Sequence, residues 1–431
     1  MSVIKQIIWA TAIVAATVPS TTNAQDQAPK TSDRNTAATT ADTTQAKAAF
    51  QAKFAEYKSA IRDIEKLQAE FQTADSEHRR KLNQEVTGHI AQAQSIMNAM
   101  IEAAEAAFKA APNTDKEVTD ILTAVAKHYT IGRQIGAPVP AQGNPQDVYY
   151  PIDGGDQFEK ALPIIKLLID GGVQNSELYV WGFLSAFATN DYDLAQKYLD
   201  KAKETGAMES LAMMANRDDK SDTQSGLHKN LAHLVAASID VFDDYKGLWA
   251  KESAIRAAEE KANNLPRVKL TTTKGEIVVE LFEDQAPGTV ANFLTLVKQG
   301  FYSGSPFHRV LPGFMAQGGA KTDDGQGGPG YTIRDELKGD YRRHFRGTLS
   351  MAKTQAPDSG NSQFFLTFVP TPHLNGRHTA FGRVVEGIEV LGDLQRRSPQ
   401  HETNGPKPDK IIKAEVLRDR GHEYKFEKLG G

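Results

Sequence analysis

Residues 307–319 read FHRVLPGFMAQGG, and this stretch decides the fold expected for the last third of the chain. One cation, Arg309, lies in an otherwise apolar run, and Phe314, Met315 and Gln317 follow within eight positions. A guanidinium among apolar side chains is costly unless it has hydrogen-bonding partners. The segment therefore indicates a pocket that holds an apolar group and directs one strong donor towards it.

Short motifs downstream of this segment occur in the order, and close to the spacing, of one known family. They are SMA at 350–352, NSQFF at 361–365, HLNGRH at 373–378 and FG at 381–382. Together with residues 307–319 they resemble the signature of the cyclophilins, the cyclophilin-type peptidyl-prolyl cis-trans isomerases. The resemblance covers approximately residues 268–417. The motifs form three blocks, at 307–319, 350–365 and 373–382, and three blocks in register make coincidence a poor explanation.

The residues after Pro266 also favour a β-rich domain, because the hydrophobic period changes there from 3.6 towards 2. Strand-like segments are 269–271, 276–281, 307–310, 348–351, 364–368, 379–385 and 411–417. Pro287 starts a helix that Gly300 ends, and residues 387–394 predict a second helix. This pattern is similar to the cyclophilin fold, a closed antiparallel eight-stranded β-barrel with two capping helices. The domain is expected over 266–420, followed by a tail over 421–431.

The resemblance implies roles for individual residues. Arg309 would donate a hydrogen bond to the prolyl nitrogen of a twisted X-Pro bond, Gln317 would hold Arg309, and His378 would lie at the pocket edge. The remaining expected substrate-binding residues line the proline pocket or contact the residue before proline: Phe314, Met315, Phe365, Leu374, His373, Gln363, Ala352 and Lys353. Without the resemblance, the apolar members are equally well explained as barrel core and His378 as a structural histidine.

Three positions depart from the family pattern. Lys353 stands where Asn is common, but the family contact there is largely backbone, so activity should survive. The loop 354–359 is one residue longer than in short cytosolic members. His373 replaces the Trp of drug-sensitive members, so only weak inhibition by cyclosporin is expected. The Gly-rich loop 325–330 lacks the GKS/T ending of a phosphate-binding loop and is expected to border the substrate groove.

Rotation about an amide bond needs no nucleophile, metal or cofactor, because the barrier of roughly 18–20 kcal/mol comes from resonance. The resemblance implies prolyl isomerisation, expected here to assist the folding of exported, proline-containing polypeptides. The alternative is a non-catalytic scaffold that holds proline-containing peptides on the same barrel. A purely structural helical protein with an incidental barrel is disfavoured because Arg309 and Phe314 are both present.

Composition limits the classes of partner. The 431 residues include 50 Lys and Arg against 54 Asp and Glu with no basic run, which argues against nucleic acid. The chain has no cysteine, which excludes disulfides, thiolate catalysis and cysteine-bound zinc.

The first residues have the features of a secretory signal. Lys5 precedes an apolar run over 7–18 that is shorter than the about 20 residues a bilayer requires. Small residues at 22–24 predict cleavage after Ala24, with an uncleaved anchor as the alternative. The mature protein would be periplasmic or extracellular, without a stable membrane span. Residues 25–45 are too polar to order themselves and are expected to form a disordered leader.

The middle of the chain is predicted to be helical. Residues 46–112 carry two apolar seams, which predict a long antiparallel hairpin or, alternatively, pairing with another chain. The first seam is Phe50, Phe54, Tyr57, Ile61, Ile64 and Phe71, and the second is Leu82, Val86, Ile90, Met97, Ile101 and Phe108.

A second helical domain, tetratricopeptide-like, is predicted over residues 113–264. Phe158 and Tyr192 are 34 positions apart, as are Gly172 and Gly206, and 34 residues is the tetratricopeptide period. The match is partial, because Phe183 stands where the consensus has Gly and Ala207 where it has Pro. Aromatic residues here are explained either as core or as anchors for a protein partner: Tyr149, Tyr150, Trp181 and Trp249.

Overall fold

The computed structural model describes residues 40–135, 139–141, 144–149, 151–216, 224–339, 341–401 and 405–430. The predicted signal peptide, most of the leader and Tyr150 lie outside the described residues. Within these ranges, no helix combines the length and apolar character that crossing a membrane requires. The described residues divide into two compact units. One comprises Met1–His128 with Ala161–Leu178, and the other Tyr129–Lys160 with Tyr179–Gly431.

The long hairpin is confirmed in the first unit. Helix α1 (Thr40–Thr73) packs against α2 (Ser76–Ala110), and Asp75 caps α2 by accepting a hydrogen bond from the His78 N–H at 2.9 Å. Most of both predicted seams is buried, with Phe71 and Ile90 partly exposed. Helix α1 begins at Thr40, inside the predicted disordered leader, because adding residues to an existing helix requires no new nucleation step.

The helices that follow are α3 (Lys116–Ile131), α4 (Phe158–Asp170), α5 (Glu177–Ala188), α6 (Tyr192–Glu204), α7 (Ala207–Ala215), α8 (Ser225–Asp240) and α9 (Phe242–Ala262). Phe158 and Tyr192, which set the 34-residue period, are the first residues of α4 and α6. Gly172 and Gly206 adopt left-handed φ angles of 80° and 71° just beyond these helices. The tetratricopeptide interpretation itself stays a prediction, as do the domain boundaries.

Two short ladders interrupt the helices and were not predicted. Strand β1 (Arg133–Gln134) pairs with β4 (Ile152–Asp153), and β2 (Val139–Ala141) pairs with β3 (Asn144–Tyr149). The strands of two or three residues are too short for a period-2 pattern to be visible in the sequence.

An eight-stranded antiparallel sheet follows, in the spatial order β12-β5-β6-β11-β9-β10-β8-β7. Its strands are β5 (Arg267–Thr272), β6 (Gly275–Leu281), β7 (Arg309–Leu311), β8 (Met315–Gly318), β9 (Thr348–Met351), β10 (Phe364–Thr367), β11 (Ala380–Glu386) and β12 (Ile411–Arg418). The sheet curls so that residues just before β7 bond to the start of β12. For example, the Phe307 N–H donates to the Asp409 carbonyl at 2.8 Å, and the Ile411 N–H to Ser305 at 2.8 Å. The cyclophilin-like fold is therefore confirmed.

Two details of this domain differ from the sequence expectation. Strand β8 was missed, because its four residues lie between a turn and the left-handed Gly319. The second capping helix, α11 (Val390–Asp393), is one turn and shorter than the predicted 387–394. The first, α10 (Pro287–Lys298), matches its predicted limits, and the Glu336 carboxylate caps it by accepting the Gly288 N–H at 2.9 Å.

Helix α9 belongs to the same compact unit as the sheet, and buried ion pairs join them. The Arg342 guanidinium, 2% exposed, donates to Glu252 at 2.6 and 3.0 Å and to Glu259 at 2.5 Å. Arg383 of β11 bridges Glu259 and Glu280, each at 2.7 Å. Burial alone would raise the pKa of Glu252, but the hydrogen bond and charge of Arg342 hold that pKa below its ordinary value.

Replacing Arg342 by Met should destabilise the unit that contains the sheet by about 3–5 kcal/mol, because two acidic side chains then lose a buried partner. Urea unfolding followed by the fluorescence of Trp249, which packs on Phe345 at 5.3 Å between ring centroids, measures this loss. The control is Lys201→Met in the exposed pair with Glu204, where a loss below about 1 kcal/mol is expected. Similar losses in both variants would contradict the proposed importance of the buried pairs.

Candidate functional site

The two faces of strands β7, β8 and β10 have different roles. One face fills the barrel core, through Val310, Ala316, Phe364 and Leu366. Side chains alternate along a strand, so the intervening residues point to the opposite face. Arg309 is paired with Gln317 across β7 and β8, and Gln317 with Phe365 across β8 and β10. The candidate site therefore forms a row on the outer face of the barrel.

Polar partners arrange this row. The Arg309 guanidinium carbon lies 5.9 Å from the centroid of the Phe314 ring. The Gln317 amide donates to Gln363 Oε1 at 3.0 Å, and the Gln363 amide donates to the Gly325 carbonyl at 3.0 Å. The Gly-rich loop thus borders the candidate site at Gly325. Gln317 lies directly opposite Arg309, as its expected holding role requires, and also joins the next strand through Gln363.

An apolar cluster lies beside the row. Its buried members are Met315, Ala352 and Phe365, and the partly buried Leu311, Phe314 and Leu374 pack against them. The structure therefore brings together every apolar residue expected from the sequence to line the proline pocket. Leu311 belongs to the same cluster and was not expected. The feature that could have identified Leu311 is its position in β7, two residues from Arg309 and hence on the same face of the strand.

The two expected histidines flank this cluster. The His378 ring meets Phe365 edge-on, with 5.5 Å between centroids, and its Nδ1 lies 2.9 Å from the Met351 carbonyl oxygen. Burial lowers the pKa of His378, which favours its neutral form. The His373 ring lies 5.4 Å from that of Phe314 and is exposed, as suits the rim of the site.

The segment after β9 contributes backbone groups, rather than polar side chains, to the candidate site. The Ala352 N–H donates to the Gln363 carbonyl at 2.9 Å, which continues the pairing of β9 and β10 towards the site. The Lys353 ammonium forms a largely buried ion pair with Asp335, so this side chain is not available to bind a ligand. This arrangement is consistent with the expected backbone contact at Lys353 and explains how Lys is accommodated there.

His344 supports the site and was not predicted. Its fully buried ring stacks on Phe365 with 5.9 Å between centroids and an interplanar angle of 12°. Its Nδ1 and backbone N–H both lie 2.9 Å from Asn375 Oδ1, and Nε2 lies 2.9 Å from Ser350 Oγ. Burial lowers the pKa of His344 to about 4, so the ring is neutral. Because an amide oxygen can only accept, Nδ1 carries the proton that is donated to Asn375 Oδ1.

Helix α9 reaches this support through Tyr245. Its hydroxyl donates to the His344 carbonyl at 3.2 Å and accepts from the Asn375 amide at 3.0 Å. Asn375 directly follows the 3₁₀ turn Pro372–Leu374, which carries His373 and Leu374. A helix far away in the sequence therefore fixes one wall of the site. No local pattern marks such a contact, so the sequence alone did not indicate it.

Comparison with known proteins agrees with this geometry. The family model described as cyclophilin type peptidyl-prolyl cis-trans isomerase/CLD matches residues 267–416. A peptidyl-prolyl cis-trans isomerase of Helicobacter pylori is 46% identical over 140 residues, which cover 32% of this chain and 85% of that protein. Peptidyl-prolyl cis-trans isomerase B of Bacillus subtilis is 54% identical over 119 residues, covering 28% of this chain and 82% of its own. The isomerase ppi1 of Schizosaccharomyces pombe is 43% identical over 156 residues, 36% of this chain and 100% of its own.

The fold and the outer-face site thus define a cyclophilin domain. The chain belongs to the cyclophilin-type peptidyl-prolyl cis-trans isomerases, and its activity is the isomerisation of peptidyl-prolyl bonds. The matched residues 267–416 begin after α9, so the helices that support the site precede the family domain.

His344 should make the protein sensitive to acid. Its folded-state pKa of about 4 lies below its ordinary value near 6.5. Between these pH values the unfolded chain binds a proton at His344, whereas the folded chain does not. The neutral His344 ring therefore contributes about 3 kcal/mol to the free energy of unfolding above about pH 6.5. This contribution is lost as the pH falls from about 6.5 to about 4.

Urea unfolding at pH 7 and pH 4.5 tests this pH dependence. Between pH 7 and pH 4.5 the free energy of unfolding should fall by about 2–3 kcal/mol less in His344→Gln than in wild type. The exposed His78→Gln serves as the control and should keep the wild-type drop. An equal drop in His344→Gln and wild type would mean that His344 does not carry the acid sensitivity.

Proposed function

We propose that this isomerase acts on X-Pro bonds of exported polypeptides, with Arg309 as the group that stabilises the twisted bond. The observation that carries the proposal is the row Arg309–Gln317–Phe365, in which one guanidinium lies beside an apolar cluster. An apolar cluster accepts a prolyl ring, and an adjacent fixed cation supplies a directed donor. Arg309, Met315 and Phe365 come from strands β7, β8 and β10, whose pairing holds them in constant relative positions.

The reaction requires preferential binding of the twisted state over the planar cis and trans states. In the twisted state amide resonance is lost, and the prolyl nitrogen carries a localised lone pair. The Arg309 guanidinium donates a hydrogen bond to that nitrogen, whereas the planar amide nitrogen offers no comparable acceptor. Gln317, paired opposite Arg309, limits the movement of the guanidinium and so lowers the cost of this contact.

The other side chains bind and orient the peptide. Phe314, Met315, Phe365 and Leu374 enclose the prolyl ring, with His373 and His378 at the rim. Gln363 and the backbone at Ala352 and Lys353 contact the residue before proline. The Gln363 amide is already oriented by Gly325, which reduces the entropy lost when a peptide binds.

Export is proposed from the first residues of the sequence alone. Lys5, the apolar run 7–18 and the small residues at 22–24 form the three parts of a secretory signal, with cleavage after Ala24. We propose that the mature protein works in the periplasm or outside the cell, where newly exported chains fold. The helices before residue 266 are proposed to bind a protein partner, and α9, in the unit of the sheet, also supports the barrel.

Arg309→Ala should lower kcat/KM for a short X-Pro peptide by about 10²–10³-fold, because an oriented charged donor in such a site contributes about 3–4 kcal/mol. Arg309→Lys should recover only part of the activity, since an ammonium lacks the planar set of donors. Exchange NMR between the cis and trans signals of the peptide measures the activity of both variants. Arg334→Ala, which removes an exposed arginine paired with Glu427, is the control and should match wild type.

If wild type leaves the isomerisation rate unchanged but binds the peptide, the chain is a scaffold for proline-containing peptides instead. If wild type is active and Arg309→Ala is equally active, another group stabilises the twisted state.

The exported protein should begin at Gln25. Expression of the full chain in a Gram-negative bacterium, fractionation and N-terminal sequencing of the released protein test this directly. Ala24→Arg should block cleavage and leave the longer chain at the membrane, because the cleavage site needs small residues. Recovery of an uncleaved wild-type chain in the cytoplasmic fraction would contradict the proposal.

A further inference from the structure

A second cavity, of about 440 Å³, lies within the unit that contains the sheet. One wall is formed by α8, and the other by residues 311–314, at the end of β7 and in the turn after it, and by residues 369–373 of the cyclophilin domain. Its floor includes Tyr149 and Ile152 from the short strands. The volume is within the range of about 300–1,000 Å³ that is usual for ligand sites. We call this cavity the α8 groove.

The α8 groove is continuous with the isomerase site. Phe314 and His373 line the groove and also flank the proposed proline pocket. Leu311, which packs on the apolar cluster of the site, lines the groove as well. A polypeptide whose prolyl ring contacts Phe314 could therefore extend into the groove, because Phe314 also lines the groove.

The walls of the groove are held in place before any ligand arrives. The Gly313 N–H donates to both carboxylate oxygens of Asp156 at 3.1 Å, and Asp156 is also paired with Arg396 at 3.0 Å. Gly313 has a left-handed φ of 66°, and a Cβ there would lie 3.3 Å from Leu234 of α8. The opposite loop contains Pro370 and Pro372, whose rings restrict its backbone.

The chemistry of the lining selects an uncharged, apolar occupant. Most lining side chains are aliphatic or aromatic: Ile131, Val148, Tyr149, Ile152, Phe187, Leu227, Leu231, Leu234, Val241, Leu311, Phe314 and Val369. Asp156 is neutralised by Arg396, and the Ser238 hydroxyl is used within α8, donating to the Leu234 carbonyl at 2.7 Å. Asn230, His233 and His373 also line the groove, but Asp156 is the only Asp, Glu, Lys or Arg among the lining residues that the structure describes. A charged side chain placed here would therefore lose hydration without gaining a free partner of opposite charge.

We propose that the α8 groove is an additional substrate subsite, which binds an apolar side chain of the client polypeptide several residues away from the prolyl bond. The inference rests on the proposed function, since it extends the peptide path through the same site. The helices thereby add a sequence preference to an isomerase whose proline pocket recognises only the local X-Pro unit. Clients with a large apolar residue at the matching distance are isomerised more efficiently than clients without one.

A peptide scan with the full-length protein tests the subsite. The host is a nine-residue peptide of Ala, Gly and Ser around one central Ala-Pro bond, and Leu is moved through each flanking position in turn. Exchange NMR gives kcat/KM for each peptide. One position, or two adjacent ones, should raise kcat/KM about tenfold over Ser, which is the size of effect that a few buried methylene groups provide.

Three variants of α8, one of them a control, connect this preference to the groove. Ala237→Trp fills the mouth and should abolish the Leu preference, while turnover of the host peptide stays within about twofold of wild type. Ala236→Trp adds the same ring at the exposed neighbouring residue, which does not line the groove, and should keep the preference. Leu234→Ser removes apolar lining without adding bulk and should reduce the preference as well.

The inference is overturned if wild type turns over the host peptide with no Leu preference at any position, or if the preference survives in both Ala237→Trp and Leu234→Ser. It is also overturned if the chain is a dimer that Ala237→Trp, but not Ala236→Trp, dissociates, because a second copy would then fill the groove. Failure of the proposed function differs, since wild type would not turn over the host peptide at all. Binding of the same peptides, measured by fluorescence anisotropy, would then decide whether Leu improves affinity through the groove.

Discussion

Alternation of side chains along three short strands is the constraint on which the site depends. In β7, β8 and β10, each residue directed into the core is followed by one on the outer face, so Val310 is buried while Arg309 faces the ligand. A shift of one residue in the pairing would place Arg309 in the core and Val310 outside. The same apolar packing that stabilises the barrel therefore also fixes the register of Arg309, Gln317 and Phe365.

Contacts from residues outside the strands give the site a second layer of support. Tyr245 and Asn375 hold the turn that carries Leu374, His344 supports the Phe365 ring, and Asp156 holds Gly313 beside Phe314. Catalysis by preferential binding of a twisted bond gains from walls that do not rearrange, because rearrangement would reduce the difference in binding between states. The helices and the barrel in this unit thus form one support for the site rather than an enzyme with an unrelated attachment.

The sequence was informative where neighbouring residues carry the signal. The 3.5-residue seams from Phe50 onwards predicted the hairpin, and Pro287 and Gly300 marked the limits of α10. It was less informative for elements whose stability is supplied by distant partners. Strand β8 has four residues between two neighbours, the pairs β1–β4 and β2–β3 depend on intervening loops, and α11 is a single turn. Apart from β3, which has six residues, these elements are too short to show a period of their own.

By itself, the sequence determined the class of fold and the residues that gather at the site, because motif order and side-chain chemistry are local properties of the chain. Arg309, Phe314, Gln317, Phe365 and His378 were all identified in this way. Only the tertiary structure revealed His344 behind Phe365, Tyr245 beneath the 3₁₀ turn and the α8 groove beside Phe314. The contacts of Tyr245 with His344 and of Asp156 with Gly313 join residues about a hundred or more positions apart. The burial and hydrogen bonds that create all these features exist only once the chain has folded.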